Sequence, residues 1–342
     1  MRSWIAVLSS VLAVVCCVST STSASDPRFT QTLPPPSFFV ALPAIGEVAI
    51  LDPATNEIRQ EAKFPGLFSY LPMVAAQTRP FVFVLANNGL TINEVNTITL
   101  KVVASAKVSA SVTGMTVSQT DDALFAASGN DVLVLPVPIF GVAHTIGLPD
   151  QVYDVAVVGD GHTLIATLPN THRFAIIDLT THTIKGYIPT GPCVHDGIRD
   201  HCFPRDIVTS PGGRYAIGVS GRNALVVDTL MHKVVAAPEV KGHIFHDYAL
   251  AVDPSTNELW IEGAAVEENW LTSMSQLPPF NILTSALFSN YDCPYRAAFT
   301  PTGQGYGSFF GNGLDKITTF PPSSNEVILR VGTNTGSIVY VP

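Results

Sequence analysis

An all-β fold built from repeats of one four-stranded unit is what the sequence predicts, and three observations predict it. First, three segments align without gaps: Val48 to Ile58, Phe174 to Ile184 and Ala224 to Val234. Each is an apolar strand ending in Asp (Asp52, Asp178, Asp228), then a short turn, then a strand opening on Ile or Val. Aspartate suits that turn because its carboxylate accepts hydrogen bonds from N–H groups two residues on. Second, Asp52 and Asp178 lie 126 residues apart, three periods of 42, and Asp178 and Asp228 lie 50 apart. The excess of about eight matches the segment bounded by Cys193 and Cys202, which reads as an insertion into a regular array. Third, a strand, turn and strand landmark precedes these pairs at Val208 to Ile217, Val155 to Ile165, Met115 to Phe125 and Ala251 to Trp260. Weaker copies stand at Val74 to Val84 and Ala298 to Phe309.

Four short strands in about 42 residues form the blade of a β-propeller. The inner two-strand landmark occurs near residues 74, 113, 152, 205, 248 and 296, which gives six blades. The stretch Phe38 to Lys63 supplies three outer strands, and Gly336 to Val341 supplies one spare strand after the sixth blade ends near Val331. Joined, they complete a seventh blade and remove the open edges that invite aggregation. The expectation is a seven-bladed β-propeller closed by pairing of the C-terminal strand with the N-terminal blade. In blade six, Glu267 to Pro279 interrupts the pattern and reads as a short helix.

The composition agrees with repeated buried strands. Of 342 residues, 46% are hydrophobic and 13% charged, about half the charged share of an average globular chain. High hydrophobicity excludes disorder. With 18 Lys and Arg against 27 Asp and Glu, the chain lacks the basic face that a nucleic-acid partner needs.

The single long apolar run is Trp4 to Val18, preceded by Met1-Arg2 and followed by Thr22-Ser23-Ala24. That order reads as a secretory signal peptide cleaved after Ala24. A signal anchor, the alternative, needs about 20 apolar residues. The predicted organisation is a signal peptide at 1–24 and a single propeller domain at 25–342, with the insertion loop at 191–204. The expected product is secreted, extracellular and acidic, monomeric, and without a membrane partner once the signal is removed. Cys193, Cys202 and Cys293 remain in it. An oxidising compartment favours a disulfide, and the short separation of Cys193 from Cys202 favours that pair; pairing of Cys293 with either of them is the alternative.

The strand endings Ile50-Leu51-Asp52, Ile176-Ile177-Asp178 and Val226-Val227-Asp228, with Ser210-Pro-Gly-Gly-Arg-Tyr-Ala-Ile217, resemble those of the YVTN-type seven-bladed propellers, which include lactonase-like proteins. The resemblance covers most of the chain after residue 24. Its motifs specify turns, so it implies a scaffold and transfers no catalytic residue.

In a propeller, the loops from an outer strand to the next inner strand converge at the mouth of the central channel. Here they run over residues 64–71, 107–113, 147–153, 190–205, 241–248 and 290–296. Four of nine histidines fall in two adjacent loops, His195 and His201 in the insertion and His243 and His246 in the next, with Asp206 and Asp247 beside them. Imidazole oriented by a carboxylate serves as a general base. The same groups can ligate a divalent metal, and solvated loop residues are the third use. His243-x-x-His246 is a weak metal signal, so no cofactor is assigned. Alignment by the inner turn places Asp154, Asp206, Ala249 and Arg296 at one equivalent channel-facing position. Such groups surround a polar substrate, with Arg296 suited to a carboxylate or lactone carbonyl, or else they form ion pairs between blades. Phe68, Tyr70, Tyr291 and Tyr295 supply an aromatic rim.

No Gly-x-Ser-x-Gly elbow and no phosphate-binding glycine loop occurs, and Asp253 to Asn257 reads as a turn. The predicted function is a propeller acting on a small-molecule ligand, by lactone hydrolysis or a related isomerisation or cyclisation. The alternative is a secreted, non-catalytic module that binds a protein or glycan through the aromatic rim.

Overall fold

The computed structural model describes residues 36–42, 46–64, 66–67, 73–139, 141–191, 204–240, 249–264, 269–289, 292–311, 314–320, 327–331 and 337–342. The chain divides into two compact units, Met1–Thr32 and Leu33–Pro342. The first, and with it the expected signal segment, lies outside the described residues. Among the described residues no helix is long and apolar enough to cross a membrane.

Strands are numbered β1 to β28 in chain order. They form seven four-stranded sheets. The first sheet holds β1 (Ser37–Leu42), β2 (Glu47–Asp52), β3 (Glu57–Lys63) and, inside β1, β28 (Ile338–Val341). The second holds β4 (Val74–Ala75), β5 (Phe81–Ala86), β6 (Thr91–Asn96) and β7 (Lys101–Lys107); the third, β8 (Val112–Val117), β9 (Ala123–Ser128), β10 (Asp131–Pro136) and β11 (His144–Gly147). The fourth holds β12 (Val155–Val157), β13 (Thr163–Leu168), β14 (Arg173–Asp178) and β15 (Thr183–Pro189); the fifth, β16 (Ile207–Thr209), β17 (Tyr215–Ser220), β18 (Asn223–Asp228) and β19 (Lys233–Ala236). The sixth holds β20 (Ala249–Asp253), β21 (Glu258–Ala264), β22 (Asn269–Ser275) and β23 (Ile282–Ser289); the seventh, β24 (Asp292–Phe299), β25 (Gly305–Gly311), β26 (Leu314–Phe320) and β27 (Val327–Val331).

Every strand pairs antiparallel with its neighbour in sequence, apart from β28, which pairs with β1 through Ser37↔Val341, Phe38↔Tyr340, Phe39↔Val339 and Val40↔Ile338. The innermost strands touch in series, β4 to β8, β8 to β12, β12 to β16, β16 to β20 and β20 to β24, and β28 touches both β24 and β4. The core lies between sheets: Val134, Ile146, Val157, Leu164 and Ile177 pack the third sheet on the fourth. The second strands of the sheets are buried on both faces, which explains their continuous apolar runs such as Phe81 to Ala86.

The Asp-ended turns follow their predicted chemistry. Asp178 Oδ1 accepts the N–H groups of Thr180 and Thr181 at 2.7 and 2.9 Å, and Asp228 Oδ1 those of Leu230 and Met231 at 3.0 and 2.9 Å. The second carboxylate oxygen takes a cation from the next strand in two of them, Arg59 at 2.5 Å from Asp52 and Lys185 at 2.7 Å from Asp178. Asn96 fills the same role in the second sheet, accepting the N–H groups of Ile98 and Thr99. Four residues past each of these side chains the backbone turns left-handed, at Asn56, Leu100, His182 and His232.

Two expectations are corrected. The segment read as a short helix in blade six is β22 followed by a turn through Pro278-Pro279. Paired residues such as Trp270↔Gly263 and Thr272↔Ile261 hold it in the sheet, and a double proline cannot continue a helix. Arg296 and Tyr295, placed at the end of a loop, lie within β24, because that strand begins at Asp292.

Candidate functional site

Three of the predicted site residues come together from three different sheets. Asp154 immediately precedes β12, Asp206 immediately precedes β16, and Arg296 lies in β24. Arg296 Nη2 lies 3.6 Å from Asp206 Oδ1, with side-chain exposures of 24% and 3%. This ion pair joins the seventh sheet to the fifth. At the aligned position of the intervening sixth sheet the sequence has Ala249, which carries no charge.

Asp154 is fixed by backbone and side-chain bonds on both sides. Its own N–H donates to Thr167 Oγ1 at 2.8 Å. Its carboxylate accepts the N–H of Val155 at 2.8 Å and, across the sheet boundary, that of Ile207 at 3.0 Å. Thr167 Oγ1 in turn donates to the Arg205 carbonyl at 2.8 Å, a second link to the segment that carries Asp206. On the opposite side, a Cβ built at Gly114 would lie 2.2 Å from Asp154 Oδ1 and 2.6 Å from its Cα, so only glycine fits there. The Asp154 carboxylate is thus held in place by main-chain contacts.

The electrostatic consequence is strong. Burial pushes the Asp154 carboxyl up to about 7, the Asp206 charge adds to the rise, and Arg296 with the N–H groups of Ile207 and Val155 opposes it. A carboxyl that exchanges its proton near neutrality has the properties of a general acid or base. The stability effect has a definite sign. Below pH 3.8 the carboxyl is protonated in both folded and unfolded chains; between 3.8 and about 7 the unfolded chain ionises first, so stability falls as pH rises. Asp154→Asn, which keeps an oxygen and removes the charge, is expected to flatten this decline by on the order of 4 kcal/mol between pH 4 and pH 7.5. Urea unfolding at several pH values measures it; an unchanged slope means that Asp154 does not hold the proton.

His195, His201, His243, His246, Asp247, Phe68, Tyr70, Tyr291, Cys193 and Cys202 lie outside the described residues. Among the described residues no group of three or more His, Cys, Asp or Glu is arranged to hold a metal. The sequence reading missed Thr167 and Gly114. For Gly114 a signal was present, because alignment by the inner turn puts it at the position of Asp154 one sheet earlier. At the same end, the Arg205 guanidinium lies 5.4 Å from the centroid of the Tyr153 ring.

No protein-family model matches the chain. No curated protein matches it either. Solved structures do. A functionally unknown protein from Desulfotomaculum acetoxidans DSM 771 superimposes with a TM-score of 0.72 at 13% identity, covering 89% of this chain and 98% of that one. The Cps50 (Swd1) beta-propeller domain of Myceliophteria thermophila gives 0.64 at 14% identity, covering 79% and 89%. Kuenenia stuttgartiensis hydrazine synthase gives 0.60 at 16% identity, covering 76% and 79%. Likeness at such identities is likeness of fold, and it agrees with the strand order described above. The chain is an all-β propeller of four-stranded blades.

Proposed function

We propose that this chain is an exported, seven-bladed propeller of the YVTN, lactonase-like type that acts on a small polar molecule at the channel mouth. The observation that carries the reading is the meeting of Asp154, Asp206 and Arg296 from three sheets, with one carboxyl poised near neutral pH. Asp154 is the general acid or base, Asp206 keeps the Arg296 guanidinium in place, and Arg296 faces a carbonyl or carboxylate of the ligand. Hydrolysis of a lactone, or a related isomerisation or cyclisation, is the reaction class that needs these groups and no cofactor. His195, His201, His243 and His246, in the loops that precede β16 and β20, are the candidates to complete the site. The seven sheets, the pairing of β28 with β1 and the serial contacts of the innermost strands support a closed ring of seven blades. Met1 to Ala24 supports export.

A panel of lactones and esters offered to the chain from residue 25 onward tests the reading. Turnover that falls by about 100-fold or more in Asp154→Asn, with the fold intact by circular dichroism, is the expected result. Equal turnover in that variant removes Asp154 from the chemistry. Absence of turnover and of saturable binding across the panel makes the charged cluster an inter-blade tie alone.

A further inference from the structure

An open cavity lies at the opposite end of the sheets from Asp154, between the third and fourth sheets. Its volume is about 530 Å³, within the size range of small-molecule pockets. Its floor is apolar, made by Ala123, Phe125, Val134 and Leu179 from the core between those sheets. Its walls are polar: Asp122 on one side, Asp160, His162 and His182 on the other. Both ends are bridged. At one, Gln119 Nε2 reaches the Val158 carbonyl at 3.4 Å; at the other, the rings of His144 and His182 stack with centroids 4.2 Å apart.

Three other sheet boundaries are closed at this level by direct contact of their inner turns. Between the second and third sheets, Asp121 accepts the N–H groups of Gln77 and Thr78 at 2.9 and 2.5 Å. Between the fourth and fifth, the turns meet backbone to backbone, and a Cβ at Gly213 would fall 1.8 Å from Gly159 N. Between the sixth and seventh, a Cβ at Gly303 would fall 2.2 Å from Ser255 Oγ. The boundary of the third and fourth sheets instead stands open, spanned by one long amide bond.

Charge selects the occupant. No Lys or Arg lines the cavity, whereas two carboxylates do. Asp160 is held below the ordinary carboxylate range because, although burial raises it, the N–H of His162 and the hydroxyl and N–H of Thr163 outweigh that effect. Asp122 is likewise lowered, first by the Ser118 hydroxyl at 2.6 Å. Both are anionic at neutral pH, and both are oriented by their own turns. An anionic ligand would meet repulsion from both carboxylates, only partly offset by Arg79 near Asp122 and His162 near Asp160. A ligand that satisfies both halves of the cavity has a flat apolar body for the floor and one ammonium group for the wall.

We infer that this inter-sheet cavity, walled by Asp122 and Asp160 and floored by Phe125, Val134 and Leu179, is a binding site for a compact organic amine. It is separate from the Asp154 cluster. Tryptamine is a suitable probe, with tryptophol, which carries a hydroxyl in place of the ammonium, as its neutral counterpart. Calorimetric titration at pH 7.5 should show saturable tryptamine binding, at least about fivefold tighter than tryptophol, the effect of one partly exposed charge pair. Asp122→Asn with Asp160→Asn keeps both turn acceptors and should erase that preference; Asp206→Asn, at the other end of the sheets, should leave it unchanged. Equal binding of the two probes, preference retained in the double variant, sensitivity to Asp206→Asn, or no saturable tryptamine binding would each overturn the assignment.

Discussion

Replacing Arg296 with Gln should destabilise the fold by about 3–5 kcal/mol at pH 8, the cost of leaving a buried charge without its partner. The guanidinium lies 3.6 Å from Asp206, and it also lowers the cost of ionising Asp154. Main-chain contacts through Ile207 and Gly114 hold the Asp154 carboxyl in place, so it cannot swing away to relieve the loss. Protonation is the remaining route of relief. Without the guanidinium the Asp154 carboxyl rises further above its value of about 7, so between pH 8 and pH 5 the variant should recover part of its lost stability, up to about 1.4 kcal/mol. The measurement is the difference in urea midpoint between wild type and variant at pH 5 and pH 8. A difference independent of pH would mean that packing of the Arg296 stem, and not its charge, is what the sheets use.

Removing residues 337–342 should have an effect as large, for a different reason. β28 is the innermost strand of the first sheet, and Ile338 and Val341 are buried within it. Ser337 ties two neighbours together: its carbonyl accepts the Ala41 N–H at 2.9 Å and its hydroxyl oxygen accepts the Met73 N–H at 3.0 Å. Tyr340 covers Phe38, whose ring also meets Tyr306 of the seventh sheet at 4.6 Å. The Tyr306 hydroxyl in turn donates to Asn56, at the turn between β2 and β3, and accepts from Gln304, just before β25. Two buried aliphatic side chains and a strand's worth of backbone bonds amount to roughly 5 kcal/mol or more, comparable to the whole stability of a domain. The truncated chain should lack a cooperative thermal transition and should aggregate through the exposed edge of β1. If it melts within about 2 °C of the full chain, β28 is a dispensable addition to a ring held elsewhere.

Much of this scaffold was legible because its turns are written in local chemistry. An apolar strand ending in Asp52, Asp178 or Asp228 carries its own turn acceptor, and that acceptor stands at the same place in the first, fourth and fifth sheets. Asn96 escaped notice only because an amide replaced the carboxylate. Where local signals conflicted, the reading failed: the stretch after Glu267 read as a helix until pairing with β21 made it a strand. The Asp154, Asp206 and Arg296 alignment was legible as well, since equivalent positions in a repeat face the same axis.

By itself, the sequence determined the repeating unit, the turn chemistry, the strand that completes the first sheet, and which charged residues share one level of the channel. All follow from interactions within a few residues or from a fixed period. Only the tertiary structure decided that Asp154 would be clamped by the N–H of Ile207 and the backbone of Gly114, and that Arg296 would reach Asp206. It alone decided that the turns would interlock at several sheet boundaries and leave a cavity at another. Those outcomes depend on distances between residues forty or more positions apart, set by how neighbouring sheets pack, and a repeat period carries no information about them.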